Sequence, residues 1–416
     1  MMEKSMEDVK SKIGSGDAVV WTADELKKKL SEGESVTLDD VDVVTCGTSG
    51  VMSGTSALLH IPVSEPGSFN KAKEVYINGI EAYPGPCPNE LLGTVDVYVY
   101  GTNHSRTIDG YGGGFLFKDL VDKKEVEVEV VDVDGNTFSN TVTIDDMPFA
   151  RMIGSRMAFK NYSSFTNPGR DATKSIFNAS PMEGPYNSYS FSGCGDINPL
   201  ANDPDQLCIG ESTPVLLNGA RGVVISNGTR SSPEKPNLML TADMKEMDSY
   251  WLGGYKTAMG PEVFDSVAIA IPVLNEKILS NLMVLNKDIE LPVCDIHGRH
   301  LPIDNTSYAV WDDVELRPSV DVDKCFSCIP CLPNIYCPVN AFNKDKTINY
   351  DLCFGCGYCA TVCPRGVPSI DMGSISINAE GKDRVIPVTC RQSDRKRGVE
   401  ISGVLKKRIL DGEFDL

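Results

Sequence analysis

Eight of the 14 cysteines in this 416-residue chain stand between Cys325 and Cys363. No other feature limits its fold as much. Disulfides suit small secreted chains that cannot build a sufficient core, whereas a chain of this length has room for two or three domains. The segment Met1-Met2-Glu3-Lys4-Ser5-Met6-Glu7-Asp8 places charges where a secretory leader would be apolar. No apolar run is long enough to cross a bilayer. A cytoplasmic protein with no membrane span is therefore expected. In a reducing compartment, thiols crowded this way read as metal ligands. Acidic residues outnumber basic ones 58 to 39, a net charge of −19, which would repel a phosphate backbone, so no nucleic-acid partner is expected.

The crowded stretch contains two related motifs. Cys325, Cys328 and Cys331 lead to Cys337-Pro338; Cys353, Cys356 and Cys359 lead to Cys363-Pro364. The second has the C-x2-C-x2-C-x3-C-P spacing of bacterial two-cluster ferredoxins, and the first has two extra residues before its last cysteine. In that arrangement three closely spaced thiolates wrap one cubane and the distant fourth crosses to the other. The spacing thus assigns Cys325, Cys328, Cys331 and Cys363 to one [4Fe–4S] cluster, and Cys353, Cys356, Cys359 and Cys337 to a second. Zinc ribbons, the competing reading, usually show two separated C-x2-C pairs. The module is expected at 319–377, as a small α+β ferredoxin-like domain.

Residues 1–318 alternate strand and helix signals and are expected to form an α/β domain with a mixed sheet. Thr22-Ala23-Asp24-Glu25 is a capping box. Asn78-Gly79 between two apolar runs marks a type I′ hairpin, and Asp134-Gly135 joins another pair. Glu276–Met283 reads as a helix, and Ser374–Asn378 as the closing strand of the ferredoxin module. From Lys382 to Arg408 the chain turns basic, with nine Lys or Arg against three acids. The segment 378–416 is read either as a solvated strand and helix packed on the acidic body or as a docking tail for an acidic partner.

Three apolar runs are followed by Gly-Thr: at Cys46-Gly47-Thr48, at Gly101-Thr102-Asn103-His104 and at Gly228-Thr229-Arg230. Parallel neighbours ending this way would share one crevice. There Cys46 would be an activated thiol, His104 a proton carrier, Thr48 and Ser49 amide donors to an oxyanion, and Arg230 a carboxylate anchor. Coincidence of a common dipeptide is the plain alternative, with Cys46 a core residue. Cys87, in the rigid loop Tyr83-Pro84-Gly85-Pro86-Cys87-Pro88, is a second candidate thiol. Cys294-Asp295-Ile296-His297-Gly298-Arg299-His300 has ligand-like spacing but reads better as a turn.

Val43-Val44-Thr45-Cys46-Gly47-Thr48-Ser49-Gly50, the Tyr83–Glu90 loop and Asn227-Gly228-Thr229-Arg230-Ser231-Ser232-Pro233-Glu234 resemble the archaeal homocysteine-biosynthesis family. The similarity is greatest to its methanogenesis marker 16 metalloprotein branch, which carries a fused ferredoxin. The resemblance implies an L-aspartate semialdehyde sulfurtransferase or an enzyme acting on a related aldehyde. It further implies a sulfide or persulfide donor, an external electron donor and two [4Fe–4S] clusters, and it leaves a homo-oligomer open. Family members carry a cysteine after a Met where this chain has Met52-Ser53, and another where it has Thr137-Phe138-Ser139. An accessory electron-transfer protein serving a partner is the other reading.

Overall fold

The computed structural model describes residues 3–85, 90–160, 162–299 and 301–416. A 14-stranded sheet dominates it. From one edge its main path runs Val20–Thr22, Val43–Val51, Gly260–Pro272, Pro214–Leu217, Ala220–Asn227, Leu238–Asp243, Phe149–Met157, Thr55–Pro62 and Thr94–Tyr100. It ends on Ile80–Pro84, Ala72–Ile77, Val126–Asp132 and Thr137–Val142. Local chemistry explains the joints. Asn78 and Gly79 have φ of 47° and 73°, the left-handed pair that a type I′ turn needs. Thr22 and Glu25 cap the helix Ala23–Ser31 reciprocally. Asn275 caps the helix Glu276–Leu282.

A second, six-stranded sheet joins distant parts of the chain. Its middle is Ser164–Thr166, Tyr189–Phe191 and Lys382–Arg391, with Ser374–Ala379 at one edge. Ser374–Ala379, expected to close the ferredoxin module, pairs instead with Lys382–Arg391. The module is closed by a two-residue antiparallel ladder, Ser319–Val320 with Pro368–Ser369. Two five-residue helices, Leu332–Tyr336 and Tyr358–Val362, each end at the cysteine that precedes a proline.

The basic C-terminal stretch is built into the molecule. The helix Arg395–Leu410 lies across Val43–Val51 and Gly260–Pro272, burying Ile401, Leu405 and Ile409 against Val43, Leu216 and Ala268. Its crossing point is a contact between two glycines. A Cβ on Gly47 would stand 2.0 Å from the Gly398 carbonyl oxygen, so no larger residue fits there. Asp394 N–H donates to Ser49 O at 2.9 Å, and Thr45 Oγ1 donates to Ser402 O at 2.9 Å. No helix among the described residues is long and apolar enough to cross a membrane.

Candidate functional site

Cys46 does not stand at the end of a strand. It lies inside Val43–Val51, opposite Ile269, with no exposed surface. Burial pushes its thiol up to about 12, although the Lys27 ammonium opposes the shift. Lys27 is itself buried and lowered to about 8, with its amine bound to Asn202 Oδ1 and the Leu282 carbonyl. Thr48 and Ser49 are equally enclosed. Their backbones pair with Val267 and Ser266, and Ser49 Oγ accepts from Ser266 Oγ at 2.8 Å. The small residues that suggested an anion-binding loop are thus the seat of the C-terminal helix.

The Gly-Thr crevice does not form. Among the described residues, the only parallel pair in the large sheet is Val20–Thr22 with Val43–Val51. Three successive antiparallel pairings separate the Cys46 strand from Ala220–Asn227, so the two run in opposite directions. His104 is exposed, with its ring against Gly260, and lines a hollow with Asp109, Tyr111 and Lys256. Arg230 belongs to a different hollow. Cys87 and His300 lie outside the described residues.

The cysteine-rich segment does assemble two hollows. One, of about 240 Å³, is lined by Cys325, Cys328, Cys331 and Cys363. The other is tighter and is lined by Cys337, Cys353, Cys356 and Cys359. The first lies near the surface, where Phe326 and Ile329 are 68% and 99% exposed. In the second, Cys337, Cys353 and Cys356 are buried beneath Phe354, whose ring meets Tyr255 and Phe264. Backbone amides turn toward the sulfurs: Ala341 N–H donates to Cys337 Sγ at 3.1 Å, and Ser327 N–H to Cys325 Sγ at 3.4 Å. Burial holds the Cys359 thiol up at about 12. No three His, Cys, Asp or Glu among the described residues converge on a point suited to a single metal ion. Four soft sulfur donors spread around each wall, with amides directed at them, fit a cage with a metal at each corner.

A third hollow, of about 400 Å³, brings together Met52, Ser53 and Gly54 of the turn after Val43–Val51 with Arg156, Arg230, Lys235 and Arg299. Among the described residues none of the four cations has an ion-pair partner, and no Asp or Glu lines the hollow. The Arg156 guanidinium is lowered by burial and by the charge of Arg230, and the backbones before the two are joined by Thr229 N–H to Ser155 O at 2.9 Å. Behind Ser53 stands Glu262, 7% exposed, with Oε2 unpartnered; burial raises its pKa while the Ser53 side chain opposes the rise. Phe165 and Phe177 stack at 4.0 Å on the opposite wall. Cys294 is buried one layer beneath that wall, beside Ser163 and Lys235. Sequence reading found only Arg230 here, because the other cations come from separate segments without a shared motif.

This hollow and the tighter cysteine hollow share a wall. Arg391 N–H donates to the Cys356 carbonyl at 3.0 Å, and the next residue, Gln392, lines the cationic hollow. Val51 also lines it, while packing against the core that contains Cys353 and Cys356.

Comparisons with known proteins give the following similarities. A family model described as "homocysteine biosynthesis enzyme, sulfur-incorporation" matches residues 18–416. The chain is 50% identical over 414 residues to an uncharacterized protein of Methanothermobacter thermautotrophicus, covering 99% of this chain and 94% of that one. It is 32% identical over 341 residues to the L-aspartate semialdehyde sulfurtransferase of Methanocaldococcus jannaschii, covering 78% of this chain and 65% of that enzyme. A 48-residue stretch toward the C-terminus, 12% of the chain, is 44% identical to 57% of the pyruvate synthase subunit PorD of Methanothermobacter marburgensis. No solved structure matches the chain.

Proposed function

Because the chain belongs to the family of homocysteine biosynthesis enzymes that incorporate sulfur, we propose that it transfers sulfur reductively to an aldehyde held in the cationic hollow. The substrate class is an aldehyde that carries a carboxylate or other oxyanion, the class to which L-aspartate semialdehyde belongs. The observation that supports this reading is the wall common to that hollow and to Cys356: the Arg391–Gln392 peptide touches both. Cys325, Cys328, Cys331 and Cys363 would hold one [4Fe–4S] cluster; Cys353, Cys356, Cys359 and Cys337 would hold the other. Clusters so held supply electrons one at a time. Exposed Phe326 and Ile329 favour the first hollow as the side that would meet an external electron donor.

Hydrogen sulfide adds to the aldehyde carbon, its sulfur forming the new carbon–sulfur bond while the carbonyl oxygen takes up a proton. The carbonyl oxygen then leaves as water, and a carbon–sulfur double bond replaces the carbon–oxygen one, giving a thioaldehyde. Two electrons and two protons reduce that double bond to the thiol. Arg230 pairs with an anionic group of the substrate and fixes its orientation. Glu262, buried behind Ser53 with its pKa raised by burial, is the nearest carboxyl that could carry a proton to the hollow. The aromatic wall limits water.

The test is an anaerobic assay of sulfide- and reductant-dependent thiol formation. It uses L-aspartate semialdehyde, succinic semialdehyde and phosphonoacetaldehyde. The intact chain should form thiol from at least one of them, and Cys356→Ser should lose most of that turnover. Thiol formation undiminished in Cys356→Ser, or absent with every aldehyde in protein that carries its iron, would contradict the proposal.

A further inference from the structure

The cationic hollow also carries information about what it binds, given the reading that it is the substrate site. Its four cations come from four places: the strand Phe149–Met157, both ends of the 230–235 loop, and the turn after Glu290–Asp295. In a chain of net charge −19, such a cluster without a lining carboxylate is a local inversion of sign. The cations form two groups. Arg156 and Arg230 line the hollow with Ser53 and Gly54, and the residues before them are joined, Thr229 N–H donating to Ser155 O at 2.9 Å. Lys235 and Arg299 belong to the aromatic side: Lys235 Nζ is 3.4 Å from Ser163 Oγ, and the Arg299 guanidinium stands 5.8 Å from the Phe177 ring centre.

Like charges held side by side without counter-ions repel, and a ligand that supplies the missing negative charge relieves that repulsion at each group. A guanidinium pair suits one planar or tetrahedral oxyanion; an ammonium and a guanidinium further along suit a second. An α-ammonium group would enter the same hollow against four positive charges and find no carboxylate on its wall. A volume of about 400 Å³ is in the range of small-molecule sites and excludes a folded partner.

We infer that this hollow selects a small organic dianion lacking a free ammonium group, its two negative ends met by Arg156 with Arg230 and by Lys235 with Arg299. Within the aldehydes proposed above, this narrows the substrate class away from the amino-acid semialdehyde for which the sulfurtransferase relatives are named. The negative ends are carboxylate or phosphate.

Calorimetric titration of the full chain, purified anaerobically, with simple probes tests this without turnover. Succinate and L-aspartate share a carbon skeleton and differ by one ammonium group; acetate has one negative end, and inorganic phosphate compares the two anion types. Succinate or phosphate should bind at least tenfold more tightly than acetate, and succinate at least tenfold more tightly than L-aspartate. Whichever of succinate and phosphate binds better names the anion type. Arg230→Gln and Arg156→Gln should each weaken the preferred dianion at least tenfold. Lys245→Gln, which removes an exposed cation elsewhere, should leave it unchanged. Two variants keep the test open if one fails to fold.

L-aspartate binding as tightly as succinate would overturn the inference, as would dianion binding indifferent to both arginine variants, or no saturable binding of either dianion. Dianion selectivity in a protein that forms no thiol would instead leave this inference standing and remove the sulfur-transfer reading. Thiol formation with preference for the amino aldehyde would do the reverse.

Discussion

Cys46 and Asp265 sit in the same pair of long strands, and burial dictates what each can do. Cys46 has no exposed surface and burial pushes its thiol up to about 12, both of which work against the thiolate nucleophile that its sequence setting suggests. Cys46→Ser should leave thiol-forming turnover within twofold while lowering stability by about 1–2 kcal/mol, since a hydroxyl replaces sulfur in an apolar setting. A large loss of turnover in folded Cys46→Ser would contradict this. Asp265 accepts from Thr55 Oγ1 at 2.5 Å and from Asn218 Nδ2 at 2.8 Å, yet burial raises its pKa from 3.8 to about 6. A carboxyl whose folded pKa exceeds its unfolded one stabilises most below 3.8, and that contribution disappears as pH rises through 6. About 1 kcal/mol should be lost between pH 5 and pH 7 on this account, and the difference from Asp265→Asn in urea midpoints should show it. A difference that is flat across that range would refute the assignment. The residue types around Cys46 were legible in the sequence. Their burial was not, because the helix that covers them lies some 350 residues further along the chain.

Elements set by local chemistry were read correctly from sequence. The Asn78-Gly79 hairpin, the Thr22 capping box and the Glu276 helix depend on neighbours a few residues away. Elements set by distant partners were not. The basic stretch after Lys382 reads as a solvated strand and helix packed on the body or as a docking tail; the strand and the packed helix are there, but not solvated, since Arg391 and Arg397 are 0% and 1% exposed. Arg397 donates to the Cys353 carbonyl at 3.0 Å and to the Asp351 carbonyl at 2.6 Å, so the start of the last helix holds the tighter cysteine hollow against the large sheet. Gly398 and Ser402, one turn apart, give that helix its close face. Gly47→Ala should therefore push it off its strand. A cost of about 2–3 kcal/mol is expected from overpacking against backbone that cannot yield, read as a fall in the thermal midpoint. An unchanged midpoint would show that the contact carries little.

At the scale of the whole molecule, three hollows lie in order: an exposed cysteine-lined one, a buried cysteine-lined one, and a cationic one sharing a wall with the second. The cysteine pattern announced the first two in sequence because ferredoxin-type ligands are close together along the chain. The third is assembled from residues between Val51 and Gln392, and only folding reveals it. The order makes sense of fusing a cysteine-rich module to a sulfur-incorporating domain. On the proposed reading, electrons would enter at the surface and leave beside the bound aldehyde. Iron analysis of anaerobically purified protein should give about eight irons per chain, four for each cubane; tightly bound zinc in place of iron would contradict the arrangement.

The most direct measurement is rapid mixing of the reduced protein, with its iron–sulfur absorbance bleached, against sulfide, aldehyde or both. The preferred aldehyde from the turnover assay is used. Absorbance should return on a turnover timescale only when both are present, with one thiol formed for every two electrons lost. Arg230→Gln, with equal iron content, should slow that return at least tenfold. Absorbance that returns at the same rate without aldehyde, or thiol that forms while the protein stays reduced, would contradict the account.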